Sequence, residues 1–123
     1  MENSTPSFNT LQTLMSRLIS PTQYQITSQP PFLRISNLAH PEEMLMMVWL
    51  PKTNQHPFFT DWMEQFAKDK VAEYWVINPT ISAITIYSLD ENQQFCQQIA
   101  CSRGIIQSPL METLVFDLNE LFV

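Results

Sequence analysis

A histidine and two acidic residues are spaced so that they could hold a divalent cation. Asp61 and Glu64 stand on one turn at the start of a predicted helix, and His56 precedes Asp61 by five residues. Carboxylate oxygens suit hard cations such as Mg²⁺ and Ca²⁺. Capping of the helix and compensation of its dipole explain the same two acids without a metal ion. We favour the capping role and keep the metal site as the alternative.

Other patterns that carry chemistry are missing from the sequence or have a simpler explanation. A chain with one glycine cannot build a glycine-rich phosphate loop. His40 and His56 each precede a proline, and neither has a second histidine at metal-ligand spacing, so we interpret both as loop residues. There is no G-x-S-x-G turn and no cysteine near a histidine. The methionines at 44, 46 and 47 alternate between the faces of a strand and are interpreted as core residues.

The two cysteines, Cys96 and Cys101, are too few for a disulfide framework. Because they lie five residues apart on a predicted strand, they should point to opposite faces. We predict free, half-buried thiols rather than a metal or redox pair.

The charge balance argues against nucleic acid as a partner. Six basic and twelve acidic residues give a net charge of −6, the wrong sign for displacing counterions from a phosphate backbone. No apolar segment reaches the ~18 residues that span a bilayer, and the N-terminus lacks the basic start and apolar run of a signal peptide. We therefore expect a cytoplasmic protein with no membrane insertion, and a single domain over residues 1–123.

The first half of the chain predicts a helix, a hairpin, a buried strand and a second helix. Apolar spacing indicates a helix over residues 8–19 that Ser7 or Asn9 caps and Pro21 ends. Extended runs at 24–27 and 32–36 flank the Pro30-Pro31 pair and predict a β-hairpin. The segment EEMLMMVWLP, residues 42–51, predicts a central strand that is buried on both faces. After a loop, KTNQHPFF, a helix capped by Thr60 or Asp61 should end near Lys70, with one apolar face: Trp62, Met63, Phe66 and Ala67.

The second half predicts an antiparallel meander. EYWVIN indicates a second strand buried on both faces, and AITIYSL, after the turn PTIS, an alternating strand that completes a hairpin. QFCQQIAC predicts a further strand, Gly104 a bend, and METLVFDLNELFV an extended piece that passes into a short turn capped by Asp117. Together the elements predict an α+β domain with a mixed sheet.

Residues 70–95, KVAEYWVINPTISAITIYSLDENQQF, resemble the Uma-type family of restriction-endonuclease-like proteins, which belongs to the PD-(D/E)XK superfamily and is numerous in cyanobacteria. The family pattern is G-V-x-E-Y-W-(I/V)-V-D-P followed by an alternating strand that ends in Y-x-L. Lys70 replaces its glycine and Asn78 its aspartate, and the tail GIIQSPLMETLVFDLNELF is similar to the ending with which the family closes its sheet. The positions that match are Val71, Glu73, Tyr74, Trp75, Val76, Ile77 and Pro79.

The resemblance covers residues 30–123 and implies a restriction-endonuclease-like mixed sheet flanked by helices, shortened at the N-terminus, where residues 1–29 form a divergent helix and strand. Such proteins carry an aspartate after a proline, a glutamate in a buried strand and a lysine in the next helix, which together hold a divalent cation. Pro31 keeps the proline, but Phe32 follows it. The glutamate falls at Met47, Val48 or Trp49, the lysine near Trp62, and Phe66 takes the place of a helix aromatic. Because apolar residues stand at the family's three metal-site positions, we expect this chain to have no catalytic residues, metal or cofactor of that kind.

From this we expect a catalytically inactive nuclease-fold protein that binds another protein, as a regulatory factor or as a small subunit of a larger assembly. Phe58, Phe59 and Trp62 are candidate interface residues because aromatic side chains are enriched at interfaces, although ordinary packing of the helix would explain them too. By analogy with the family, a homodimer is a further expectation.

Two alternatives remain open at this point. One is an active, Mg²⁺-dependent nuclease that uses acids at new positions: Glu42, Glu43, Asp61 and Glu64. The other is a small-molecule binding module lined by methionines and aromatic residues, which predicts an enclosed pocket.

Overall fold

Six strands form one mixed sheet. A computed structural model of the protein describes residues 6–50 and 59–122, and at residues 59 and 60 it describes the backbone alone. The strands lie side by side in sequence order: β1 (Tyr24–Gln29), β2 (Phe32–Asn37), β3 (Met44–Trp49), β4 (Glu73–Asn78), β5 (Ala83–Leu89) and β6 (Phe95–Cys101). β3 and β4 pair in parallel, whereas the other neighbours in this sheet are antiparallel. The protein is therefore α+β with a mixed sheet.

The parallel pair occupies the centre of the sheet. Parallel neighbours need a crossover connection, which here contains the helix α2 (Phe59–Lys68). Side chains alternate across the sheet, so Leu45 and Met47 face one side while Met46 and Val48 face the other, and all four are buried. A strand that is covered on both sides needs the near-continuous apolar run that the sequence provides.

The first face of the sheet, on which Leu45 and Met47 lie, is covered by the helix α1 (Phe8–Leu18) and by the C-terminal segment. α1 begins after Ser7 and buries Leu11, Leu14 and Met15 against the sheet. In the C-terminal segment, β7 (Ile105–Gln107) and β8 (Val115–Asp117) form a separate two-stranded antiparallel sheet, and a 3₁₀ turn follows at Leu118–Glu120. This face holds the larger core cluster.

The second face, on which Met46 and Val48 lie, is covered by α2. Phe66 is buried there, and Trp62 and Met63 pack at its edge. Among the described residues neither helix has the length and apolar character needed to cross a bilayer.

Most of the predicted elements are confirmed, with three corrections to their bounds and pairing. α2 already begins at Phe59, so Thr60 and Asp61 lie in its first turn rather than before it. β1 continues to Gln29 instead of ending at residue 27. The C-terminal segment does not extend the main sheet, because β7 and β8 pair with each other. The loop predicted for KTNQHPFF, residues 52–59, lies outside the described residues except for Phe59, which begins α2.

The prediction that Cys96 and Cys101 point to opposite faces is wrong. A β-bulge inserts one extra residue into β6, so Cys96 stands opposite Ser88 and Cys101 opposite Ile84. Ser88 and Ile84 are four residues apart on β5 and share a face, and the same must hold for their partners. Four residues span about 13 Å, too far for a disulfide, and both thiols are free.

Candidate functional site

Three positions to which the family resemblance assigns metal-site residues come together in the structure. Phe32 on β2 lies directly opposite Val48 on β3. The ring of Phe32 meets the ring of Trp62 edge to face, with 5.1 Å between the ring centroids, and meets Phe66 at 5.5 Å in the same manner. We call Phe32, Val48, Trp62 and Phe66 the Phe32 cluster. It joins the start of β2, the end of β3 and α2 on the second face.

The strand register decides which residue of β3 belongs to this cluster. Of the three residues that the sequence left open, Met47 and Trp49 face the opposite side of the sheet. Met47 is fully buried there, and the ring of Trp49 packs near Phe122 at 6.2 Å between centroids. Val48 alone of the three shares a face with Phe32 and Trp62.

The Phe32 cluster offers no ligand to a hard cation. Phenylalanine and valine side chains have no polar atom, and the indole of Trp62 can donate a hydrogen bond but not accept one. Mg²⁺ requires oxygen ligands in octahedral geometry. Val48 is fully buried, so a carboxylate at this position would lose its hydration, and the indole N–H of Trp62 is the one donor that the other side chains of the cluster carry.

A cleft of about 290 Å³ lies beside the Phe32 cluster. Its apolar lining consists of Phe32, Met46 and Phe66, and its polar lining of Thr27, Gln29, Arg34 and Asp69. Because Gln29, Arg34 and Asp69 are exposed, the cleft is open to solvent. It is therefore not the enclosed pocket that a small-molecule module predicts.

The acids proposed for a relocated metal site fall into two groups. Glu42 and Glu43 lie with His40, and one ligand atom from each of these residues lies within 4.8 Å of the others. His40 Nδ1 stands 3.5 Å from a carboxylate oxygen of Glu42, and the side-chain amide of Asn37 donates to Glu43 at 3.2 Å. This group precedes β3, and Val48 follows Glu43 by five residues, a distance of about 16 Å in an extended chain. A metal there would be remote from the Phe32 cluster.

The remaining candidates are on or before α2. Asp61 and Glu64 are exposed, and the described residues include no third metal ligand near them. His56 and Phe58 lie outside the described residues, and at Phe59 the structure describes the backbone alone. Trp62 is half-buried against Phe32, so part of its surface belongs to the core.

Sequence reasoning missed the most buried charged group among the described residues, Glu73 at the start of β4. Glu73 is 1% exposed and accepts three hydrogen bonds. The donors are the indole nitrogen of Trp75 at 2.7 Å, the hydroxyl of Ser108 at 2.5 Å and the backbone N–H of Leu110 at 3.1 Å. The signal was present, because Glu73 is the one charged residue of the apolar strand EYWVIN. Its partners could not be read from the sequence, since two of them lie more than 30 residues away.

Ser108 connects Glu73 to the turn between β7 and β8. Its hydroxyl oxygen accepts the backbone N–H groups of Leu110 at 3.1 Å and Met111 at 2.9 Å. A hydroxyl that accepts two N–H groups still has its own proton to donate, and Glu73 receives it. The network attaches the C-terminal segment to β4.

Burial raises the pKa of Glu73 above its ordinary value of 4.5, and the hydrogen bonds from Ser108, Trp75 and Leu110 act in the opposite direction without cancelling it. No ion pair involves Glu73 among the described residues. Its role is therefore that of a hydrogen-bonded acceptor inside the core.

Tyr74, the next residue of β4, points to the second face and is fully buried. Its ring lies 5.2 Å from that of Phe66 between centroids, and burial raises the pKa of its hydroxyl. In the part of the chain that the structure describes, this hydroxyl has no hydrogen-bond partner. Its aromatic neighbours indicate a packing role.

In comparisons with known proteins, the chain matches neither a family model nor a curated protein sequence. The resemblance to the Uma-type family rests on the sequence residues quoted above.

A double-mutant cycle tests whether Phe32 and Trp62 interact as the ring geometry indicates. Phe32→Ala and Trp62→Ala should show a coupling free energy of about 0.5–1.5 kcal/mol, because each ring loses its edge-to-face partner. Urea unfolding followed by circular dichroism gives the four stabilities required. The control cycle pairs Phe32→Ala with Phe122→Ala on the first face, where the effects should add. Additive effects for Phe32 and Trp62 would contradict the cluster.

Replacement of Ser108 tests the attachment of the C-terminal segment. Ser108→Ala should lower the free energy of unfolding by about 2–3 kcal/mol, because it removes a hydrogen bond to a buried carboxyl group and an acceptor for two backbone N–H groups. The control, Ser102→Ala, changes an exposed serine and should alter stability by less than about 0.5 kcal/mol. Equal stabilities of the two variants would show that the network contributes little.

The raised pKa of Glu73 predicts the direction of a pH effect. A carboxyl group whose pKa is higher in the folded chain than in the unfolded chain stabilises the fold fully below the unfolded value and loses this contribution as pH rises through the folded value. We expect the free energy of unfolding of the wild type, minus that of Glu73→Gln, to decrease as pH rises from about 4.5. Denaturant titrations of both proteins over a pH series measure this difference, in which the other carboxyl groups cancel. If this difference in unfolding free energy grew with pH instead, the pKa of Glu73 would be lowered rather than raised by folding.

Proposed function

We propose that the chain has a restriction-endonuclease-like fold without the metal site of a nuclease, and that it acts by binding another protein, as a regulatory factor or as a small subunit of an assembly. The observation that carries this proposal is the Phe32 cluster. Phe32, the strand position and Trp62 were assigned to the family's metal site by their order along the chain. Their convergence in space supports that assignment.

The chemistry of the cluster supports the inactive half of the proposal. A nuclease needs carboxylates to hold its cation and an activated water to attack the phosphodiester. Three apolar groups stand where these functions are expected, and each adds to the packing between β2, β3 and α2. The net charge of −6 also opposes the approach of a phosphate backbone.

The proposal that the chain binds another protein rests on surface features that do not require a metal site. A rigid sheet with an aromatic edge on α2 and an open cleft beside it provides shape and anchoring groups for a protein surface. Phe58, Phe59 and Trp62 stay as candidate contacts, and a homodimer stays as a candidate assembly.

An active nuclease is the second candidate, because His40, Glu42 and Glu43 do gather at one place. Asp61 and Glu64 do not belong to that group, and the group lies about 16 Å from the Phe32 cluster along β3. Such an enzyme would need a site unrelated to the one that the family resemblance indicates.

Titration with Mn²⁺ and an assay for nuclease activity separate the two candidates. We expect the melting temperature of the wild type to respond to Mn²⁺ no more than that of the double variant His40→Ala, Glu43→Gln, and we expect no cleavage of DNA or RNA.

Affinity purification tests the binding of a partner. The tagged wild-type protein should retain a partner protein in equimolar amount from an extract of its native host.

A melting temperature that rises with Mn²⁺ in the wild type alone, together with cleavage that the double variant lacks, would establish the nuclease instead. Retention of no protein in stoichiometric amount, including a second copy of the chain, would remove the binding half of the proposal.

A further inference from the structure

The outer edge of β1 carries backbone groups that point away from the sheet. β1 is an outer strand, since it pairs with β2 alone. The N–H of Leu38 donates to the C=O of Gln23, and these two residues stand opposite each other when the β1–β2 register is extended by one position. Hydrogen-bonded pairs alternate along an antiparallel ladder, so every second residue from Gln25 onward directs its backbone toward β2. Ile26 and Ser28 therefore present their N–H and C=O groups outward.

This edge lacks the features that usually protect an outer strand. In the part of the chain that the structure describes, no backbone hydrogen bond from another segment reaches the outward groups of Ile26 and Ser28. Proteins usually protect such edges with charged side chains, prolines or a bulge. β1, YQITSQ, has no charge and no proline, and it pairs with β2 over six consecutive positions without a bulge. β6, the other outer strand, is also uncharged, but it contains a bulge.

The acidic residues lie away from β1 along the chain. None of the twelve falls within residues 18–41, the stretch that contains β1, β2 and their turn. Two acids from other segments reach this hairpin: Asp69 lines the cleft together with Arg34, and Glu43 accepts a hydrogen bond from Asn37. Because no residue of β1 itself is charged, a second copy with the same net charge of −6 meets a neutral strand there.

We propose that β1 pairs with β1 of a second copy of the chain in antiparallel orientation, which joins the two sheets into one. The inference rests on the proposed function, in which a homodimer is one candidate assembly, and it assigns the surface. A two-fold axis at Ile26 is the register that engages all the outward positions together. The N–H of Ile26 then donates to the C=O of Ile26 in the second copy, and the N–H of Ser28 to the C=O of Tyr24.

The side chains of β1 are compatible with this register. On the first face Ile26, which packs against the core, lies beside Ile26 of the second copy, and the half-buried Tyr24 lies beside Ser28. On the second face Gln25 stands opposite Thr27, so an amide meets a hydroxyl. A strand that fits this edge needs the same alternation and no opposed charge, and a second copy supplies both through symmetry.

The test measures the dissociation constant of the dimer by sedimentation equilibrium of the full chain. Gln25→Glu together with Thr27→Glu places like charges opposite each other on both sides of the axis and should weaken dimerisation about tenfold or more. Gln25→Lys together with Thr27→Glu places opposite charges there and should dimerise at least as tightly as the wild type. The two variants differ only at residue 25, whose neighbour on β2 is the uncharged Ser36.

A control variant addresses the other edge of the sheet. Gln97→Glu together with Gln98→Glu adds two charges at exposed positions of β6 and should leave dimerisation unchanged. The proposal is overturned if the wild type is monomeric at about 0.2 mM, or if the two variants at residue 25 dimerise equally. Loss of the dimer in the β6 variant alone would assign the interface to that edge instead.

Amide hydrogen exchange provides a readout that a change in folding does not imitate. The N–H groups of Ile26 and Ser28 should exchange more slowly as the protein concentration rises through the dissociation constant. Those of Gln25 and Thr27, which bond to β2, should be protected at every concentration. Exchange at Ile26 and Ser28 that does not depend on concentration would overturn the pairing.

Affinity purification distinguishes this inference from the proposed function on which it rests. If the wild type is monomeric and yet retains a different protein in equimolar amount, the pairing of β1 fails and the proposed function stands. If a different protein is retained by the wild type but lost in Gln25→Glu, Thr27→Glu, β1 pairs with that protein rather than with a second copy. If the wild type neither dimerises nor retains another protein, both proposals fail.

Discussion

The parallel pairing of β3 with β4 is the constraint on which the other elements depend. Parallel neighbours cannot be joined by a tight turn, so the chain must cross over one face, and α2 lies in that crossover. The opposite face then needs its own cover, which α1 and the C-terminal segment provide. Because both faces of the pair are closed, nearly every residue of the two strands must be apolar, and any exception needs partners within the core.

The two faces of this strand pair show what a charged residue in β3 or β4 requires. On the first face Glu73 is buried with a hydrogen bond from each of three donors, two of which belong to the C-terminal segment. On the second face the neighbours of Val48 in the Phe32 cluster are aromatic rings, and a carboxylate there would find one donor among them, the indole N–H of Trp62, where Glu73 has three. Valine has no polar group to satisfy and is therefore more stable than a carboxylate at this position.

The sequence predicted elements whose signal is local. Two uninterrupted apolar runs indicated the central strands, and alternation indicated that Ile84 and Ile86 share a face of β5, as they do. Features that depend on pairing between distant segments were missed. The bulge in β6 places Cys96 and Cys101 on one face, β7 and β8 pair with each other, and the partners of Glu73 lie across the turn between those two strands.

The candidate site was predictable in its members but not in its register, for a related reason. The family resemblance pointed to Phe32 and to a position near Trp62, yet three consecutive apolar residues of β3 fitted the strand position equally well. In a strand buried on both faces hydrophobicity does not distinguish the two sides, so only the pairing of Phe32 with Val48 identifies the side that faces α2.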